Sequence, residues 1–219
     1  MTTTSNRPRV LFVDDEVNVL RGIARTLHAG YEVHTAGGGE EALAKLAADG
    51  PYAAVVSDMR MPGMDGAAFL QRAFAQAPDT VRLLLTGQAD MDAAISAIND
   101  GRIFRFLAKP CPAATLTAAV AAAVEQHRLI TAEKDLLEQT LRGAVTALVE
   151  TLALTHPLAF GRALRLKKRA AELAAALPHM AAWPLDVAAM LSQLGSASLP
   201  VPVLERMHRG EPLRADERE

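Results

Sequence analysis

The strongest constraint in this chain is an alternation that fills its first half. "RVLFVDD" (9–15), "YEVHTA" (31–36), "YAAVVSD" (52–58), "VRLLLTG" (81–87) and "IFRFLAK" (103–109) are short apolar runs. Amphipathic stretches follow each of the first four: "VNVLRGIARTLH" (17–28), "GEEALAKLAA" (39–48), "AAFLQRAFAQA" and "MDAAISAIND". Apolar runs without polar alternation predict strands buried on both faces. Strand–helix alternation of this length predicts a parallel sheet with helices on both sides and right-handed crossovers. The expected fold class is therefore α/β: a five-stranded, doubly wound parallel sheet, followed by a long helix and an all-α region.

The pattern changes after Pro112. From Ala113 to about Leu154 there is no Pro, and Gly143 is the one Gly. Val120, Ala123, His127, Ile130, Lys134, Leu137, Leu141, Ala144 and Leu148 fall at heptad a/d spacing, which predicts a continuous, self-pairing helix. Two ordinary amphipathic helices with a turn near "TAEKD" are the plainer alternative. From "THP" onward the pattern stays helical, punctuated by Pro178, Pro184, Pro200 and Pro202. The domain boundaries read as 1–125, 126–150 for the connecting helix, and 151–219.

In an open parallel sheet, ligands bind beyond the carboxyl ends of the strands. Asp14 and Asp15 end the first strand, Asp58 the third, Thr86 the fourth and Lys109 the fifth. Any one of these acids alone reads as a turn or cap residue. Together they place three carboxylates, a hydroxyl and an ammonium on one sheet edge. Clustered carboxylates repel one another unless a hard divalent cation lies among them, and an all-oxygen donor set suits Mg2+. A carboxylate beside a metal and a lysine is suited to attack phosphorus.

"VLFVDDE", "VVSDMRMPGMDG", "LLLTGQAD" and "FRFLAKP" together resemble a response-regulator receiver domain of the CheY-like, flavodoxin-like type, covering residues 7 to about 125. The resemblance implies that Asp58 is the phosphoacceptor. It implies that Asp15 binds Mg2+ directly, Asp14 through water, and Arg60 by its backbone carbonyl. Thr86 and Lys109 would contact the phosphoryl group, and the Lys109–Pro110 bond would be cis. The donor would be a histidine kinase, a phosphotransfer protein or a small phosphodonor. On phosphorylation Thr86 would move inward and Phe106 would fill the space it leaves, although Phe106 also reads simply as a core residue.

"AGGGEEAL" (36–43) lacks the Lys-Ser/Thr of a phosphate loop and reads as the start of the second helix. His28, His34 and His127 show no ligand spacing and read as surface or turn residues.

Three later segments resemble an HD-GYP-type phosphohydrolase domain: "THPLAFGRALRLKKRAAELAAAL", "LDVAAMLSQLGSASLP" and "VLERMHRGEPLRADERE". In the active family such segments supply His and Asp metal ligands and a nearby Lys. Here Arg162 follows Gly161, Ser192 and Gln193 hold the His-Asp positions, and Ser196 stands at the Lys position. Neutral Ser and Gln are weak ligands, and Arg162 puts a cation where a metal would sit. The resemblance therefore implies a degenerate, incomplete and catalytically inactive output domain. The later ligands of that family would lie beyond Glu219, which suggests a trimmed chain.

Composition narrows the remaining options. A formal net charge of −2 gives no electrostatic reason for a nucleic-acid or anionic-membrane partner. The basic run "RALRLKKR" (162–169) reads as a solvated or partner-facing helix. Cys111 is the single cysteine, so no intrachain disulfide can form. No apolar leader or uninterrupted membrane span is visible. The expectation is a cytoplasmic, homodimeric regulator acting through a downstream protein. Its rivals are the regulatory part of a metal-dependent cyclic di-GMP phosphodiesterase and a transcription factor.

Overall fold

The computed structural model describes residues 7–87, 103–176 and 182–212. The chain divides into two compact units, Met1–Lys134 and Asp135–Glu219. In the first unit β1 (Arg9–Val13), α1 (Val17–Leu27), β2 (Glu32–Ala36), α2 (Gly39–Ala48), β3 (Ala54–Asp58), α3 (Gly66–Gln76), β4 (Val81–Thr86) and β5 (Arg105–Ala108) follow in order. The helix expected over "MDAAISAIND" lies outside the described residues. All pairings are parallel, in the order β2-β1-β3-β4-β5. The winding therefore reverses between β1 and β3, which leaves a crevice at their carboxyl ends.

Side-chain alternation along the strands builds a core on each face of the sheet. Leu11, Val13, Val55 and Leu84 join Phe69 and Leu70 of α3 on one face. Val10, Phe12, Val56, Leu83 and Leu85 join Leu20 and Leu27 of α1 on the other. Every residue of β3 and β4 is buried, as continuous apolar runs require. β5 is shorter than the run "IFRFLAK" suggested. It ends at Ala108, because Pro110 has no N–H to extend the ladder. The Lys109–Pro110 bond is cis, as is Gly50–Pro51.

α4 is one helix, Ala113–Thr155, with no turn at "TAEKD". Its apolar stripe is divided between two jobs. Leu116, Ala119, Val120 and Ala123 are buried in the core beneath the sheet, with Ile130 packed at its edge. His127 brings Nδ1 within 2.8 Å of the Asp79 carbonyl, and Lys134 forms an ion pair with the Asp79 side chain. Beyond that latch Leu136, Leu137, Leu141 and Leu148 are exposed. Of the nine expected heptad positions, Val120, Ala123 and Ile130 thus serve the chain's own sheet, and His127 and Lys134 hold Asp79.

Two histidines differ from their expected setting. His34 is half-buried within β2, its ring between the Tyr52 hydroxyl (2.6 Å) and the Glu32 carboxylate (3.1 Å). His127 is half-buried on α4. Both lie inside regular elements whose facing side chains supply polar partners. His28 is exposed at the end of α1, as expected.

In the second unit α5 (Pro157–Ala176) packs against α6 (Ala182–Leu191). Pro157, which lacks the N–H that the first helical turn leaves unused, opens α5. A 3-10 turn at Leu194–Ser198 leads to α7 (Val201–Arg209). Gly210, at φ +71°, ends α7 in the left-handed conformation that glycine adopts cheaply. The core of this unit is small: among the described residues Val145, Val149, Leu152, Ala159, Ala163, Val203 and Leu204 are the buried apolar ones. Among the described residues no helix is long and apolar enough to cross a membrane.

Candidate functional site

The carboxyl edge of the sheet carries the chemistry. Asp14, just past β1, is 1% exposed and Asp58, the last residue of β3, 7% exposed, while Asp15 faces solvent. One carboxylate oxygen from each of the three lies within 4.8 Å of the other two. Among the described residues this is the cluster of His, Cys, Asp or Glu groups able to hold a metal ion. Three hard oxygen donors converging from two strand ends fit Mg2+ well.

Backbone geometry holds the acids in place. The Glu16 N–H donates to Asp14 Oδ1 at 2.8 Å, and the Asp14 N–H donates to the Ala36 carbonyl at 3.2 Å. The Ser57 hydroxyl donates to the Asp58 carbonyl at 2.9 Å. Lys109, one residue beyond β5, spans the cluster, with Nζ 2.7 Å from Asp58 Oδ1 and 3.2 Å from Asp14 Oδ2. Burial disfavours its ammonium, but the hydrogen bond and charge of Asp58, with Asp14 behind it, outweigh that cost. The Lys109 pKa is raised on balance. Thr86 is fully buried, and its hydroxyl donates to the Gly87 carbonyl at 3.2 Å. Asp58 lies opposite Leu85, and Thr86 opposite Ala108, so strand register places Thr86 between the Asp58 strand and β5.

Arg60 is exposed in the loop two residues beyond Asp58, where it lines a cleft with Met59, Met61, Pro62 and Asp65. Phe106 lies on β5 opposite Leu84 and is half-buried against the core beneath Asp58.

Gly66 is a contributor that motif reading overlooked. A Cβ there would fall 2.1 Å from the Asp58 carbonyl oxygen, so only glycine lets α3 begin against the end of β3. Asp65 caps the same helix, accepting from the Ala68 N–H at 2.8 Å. Gly63, at φ +81°, turns the intervening loop. The stretch "MPGMDG" was legible as a turn. That its last glycine presses on the Asp58 carbonyl was not, because that contact depends on how α3 meets β3.

The remaining singled-out residues lie in the second unit. Arg162 lines a cleft with Arg165, Leu166, Arg169, Met207 and Gly210. Ser192 and Gln193 do not line it. The Ser192 hydroxyl donates to the Ala189 carbonyl at 2.7 Å, and the Gln193 amide donates to Ser192 Oγ at 3.2 Å. Both side chains thus finish the end of α6. Ser196 lies in the 3-10 turn and is half-buried.

Comparison with known proteins matches the two units to two families. The model of the response regulator receiver domain matches residues 10–121. The chain belongs to the response-regulator receiver family. In this response regulator a second match follows, to the HD domain over residues 146–219. The C4-dicarboxylate transport transcriptional regulatory protein DctD of Rhizobium meliloti is 38% identical over 68% of this chain and 31% of its own length. The chain therefore spans about a third of that relative.

The crystal structure of the signal receiver domain of an HD domain-containing protein from Pseudomonas fluorescens is 36% identical. It has a TM-score of 0.53 and covers 56% of this chain and 98% of its own. The crystal structure of adenylate cyclase from Rhodopirellula baltica is 40% identical, with a TM-score of 0.59 over 60% of this chain and 97% of its own.

Proposed function

We propose that this response regulator is phosphorylated on Asp58 by a histidine kinase or phosphotransfer protein, and that its HD domain is a catalytically inactive output. The observation that carries the first half is Lys109, whose Nζ lies between Asp58 and Asp14 within a three-carboxylate cluster. An Asp58 oxygen attacks the phosphorus of a phosphohistidine. The new O–P bond forms as the P–N bond breaks, and the imidazole leaves with the electron pair and takes up a proton. Lys109 stays with Asp58 and turns its ammonium onto the phosphoryl oxygens, neutralising charge that spreads over them in the transition state. Asp14, Asp15, Asp58 and the Arg60 carbonyl would hold Mg2+, which when bound supplies further charge neutralisation. The Thr86 hydroxyl exchanges the Gly87 carbonyl for a phosphoryl oxygen, and Phe106 repacks into the space left behind.

The inactive output rests on the donor set. Arg162, Ser192 and Gln193 offer no imidazole or carboxylate at the positions where the resemblance calls for them, and Ser196 offers no lysine. Output then passes through protein contacts, with a homodimer formed along the exposed Leu136, Leu137, Leu141 and Leu148 of α4. The cytoplasm is the setting in which a histidine kinase or phosphotransfer protein would meet it.

Acetyl phosphate with Mg2+ tests the first half. Intact-protein mass should rise by one phosphoryl group in the wild type and stay unchanged in Asp58→Asn. Purified protein given Mn2+ or Fe2+ and cyclic di-GMP tests the second half. Turnover of the dinucleotide would restore the phosphodiesterase reading. DctD is named a transcriptional regulator, but a gel shift with phosphorylated protein at physiological salt should show no DNA retention.

A further inference from the structure

The second unit holds a charged cleft that the reading above does not use. Arg162, Arg165 and Arg169 recur at i, i+3 and i+7 on α5, which sets them on one face of the helix. All three are exposed and line a single cleft of about 390 Å³ together with Leu166, Met207 and Gly210. Among the described residues none of the three has an ion pair or hydrogen bond. Glu172, exposed three residues beyond Arg169, is the acid on the same helix, and several other nearby charges are engaged elsewhere. Lys167 pairs with Asp186 at 3.3 Å, and Arg209 draws Glu205 (3.6 Å) and Glu211 (3.4 Å) to itself.

Like charges three and four residues apart disfavour the helix that carries them. An anion in the cleft would turn that repulsion into attraction. Guanidinium groups match phosphate oxygens in a planar, two-pronged geometry that a lysine cannot offer. The rest of the cleft is apolar: Leu166 is 38% and Met207 46% exposed. A ligand that satisfies both halves carries a phosphoryl group and a flat apolar portion, and the volume suits a small molecule.

We propose that the Arg162–Arg165–Arg169 cleft binds a small phosphorylated ligand of the mononucleotide class. Binding there is independent of Asp58, so the HD unit senses a second input without turning it over.

Calorimetric titration of the full chain in Mg2+-free buffer tests this, with ADP, pyrophosphate and adenosine as probes. ADP should bind more tightly than pyrophosphate, and adenosine should not bind. Arg165→Gln/Arg169→Gln should weaken ADP at least tenfold, since each loses a charged, bidentate contact. Arg21→Gln/Arg25→Gln, which changes the net charge equally on α1, should leave ADP affinity within twofold, and so should Lys109→Gln. The targeted arginines are exposed, so circular dichroism should report an unchanged fold. Absence of ADP binding to the wild type would overturn the proposal. So would equal weakening in the α1 control, loss in Lys109→Gln, or adenosine binding as tightly as ADP.

Discussion

The two units bury their apolar residues very differently. In the first, strands β1, β3 and β4 are apolar on both faces, and helices cover each face. Among the described residues four large apolar side chains remain exposed there: Val17, Phe74, Phe104 and Leu129. Among the described residues of the second, eleven remain exposed, from Leu136 and Leu137 to Val201 and Met207, against seven buried apolar residues. A sheet buried on both sides makes every strand position answer to two layers. A few helices packed around a small core leave whole stripes without a partner. The first unit is built to hold a site still, and the second to offer surface.

That contrast can be broken or sharpened by substitution. The largest effect should come from Asp58→Asn, which removes the oxygen proposed to attack; phosphoprotein formation from acetyl phosphate should vanish entirely, read by intact mass. Next, Leu84→Ala opens a cavity where β4 is fully buried, and should cost about 2–5 kcal/mol in denaturant unfolding of the first unit. Gly66→Ala forces a Cβ onto the Asp58 carbonyl. Overpacking of that kind costs about 1–3 kcal/mol, and phosphorylation should slow along with the loss of stability.

A substitution in the second unit should behave oppositely. Leu137→Ala/Leu141→Ala removes side chains that are 63% and 46% exposed, so unfolding should move by no more than about 0.5 kcal/mol per site. Self-association, followed by light scattering with and without beryllofluoride, should nevertheless weaken. A stability loss as large as that of Leu84→Ala would show that these leucines are core after all.

The smallest effect concerns Cys111, beside the turn that follows β5. Burial pushes its thiol pKa up from the ordinary cysteine value. A raised value keeps the reactive thiolate scarce below it. Alkylation at neutral pH should therefore be slower than for a free cysteine, and should still be rising at pH values where a free cysteine's rate has levelled off. Fast labelling at neutral pH would mean that the turn opens.

Much of the first unit was legible before any coordinates. Continuous apolar runs specified strands buried on both faces, and the residues ending them specified which edge would carry charge. Asp14, Asp15, Asp58, Thr86 and Lys109 all lie at that edge. The role of Gly66 was hidden, because its contact with the Asp58 carbonyl depends on how α3 meets β3. His34 was misjudged for a related reason. Its partners Tyr52 and Glu32 become neighbours only once β2 is paired and Tyr52 turns inward.

Along α4 the spacing of apolar residues specified a helix but not its duties. Heptad positions such as Val120 and Ala123 are equally good at meeting a second helix or a sheet, since both bury one stripe of the helix. Only the packing of α4 under β4 and β5, and its latch to Asp79, decided that the first half of the stripe stays within the chain. The three arginines of α5 follow the same logic. Their shared face was determined by a period of 3.6 residues, a local property of the backbone. That α7 and Gly210 close a cleft beside them, and that Glu205 and Glu211 are drawn to Arg209 instead, depended on contacts that tertiary structure alone supplies.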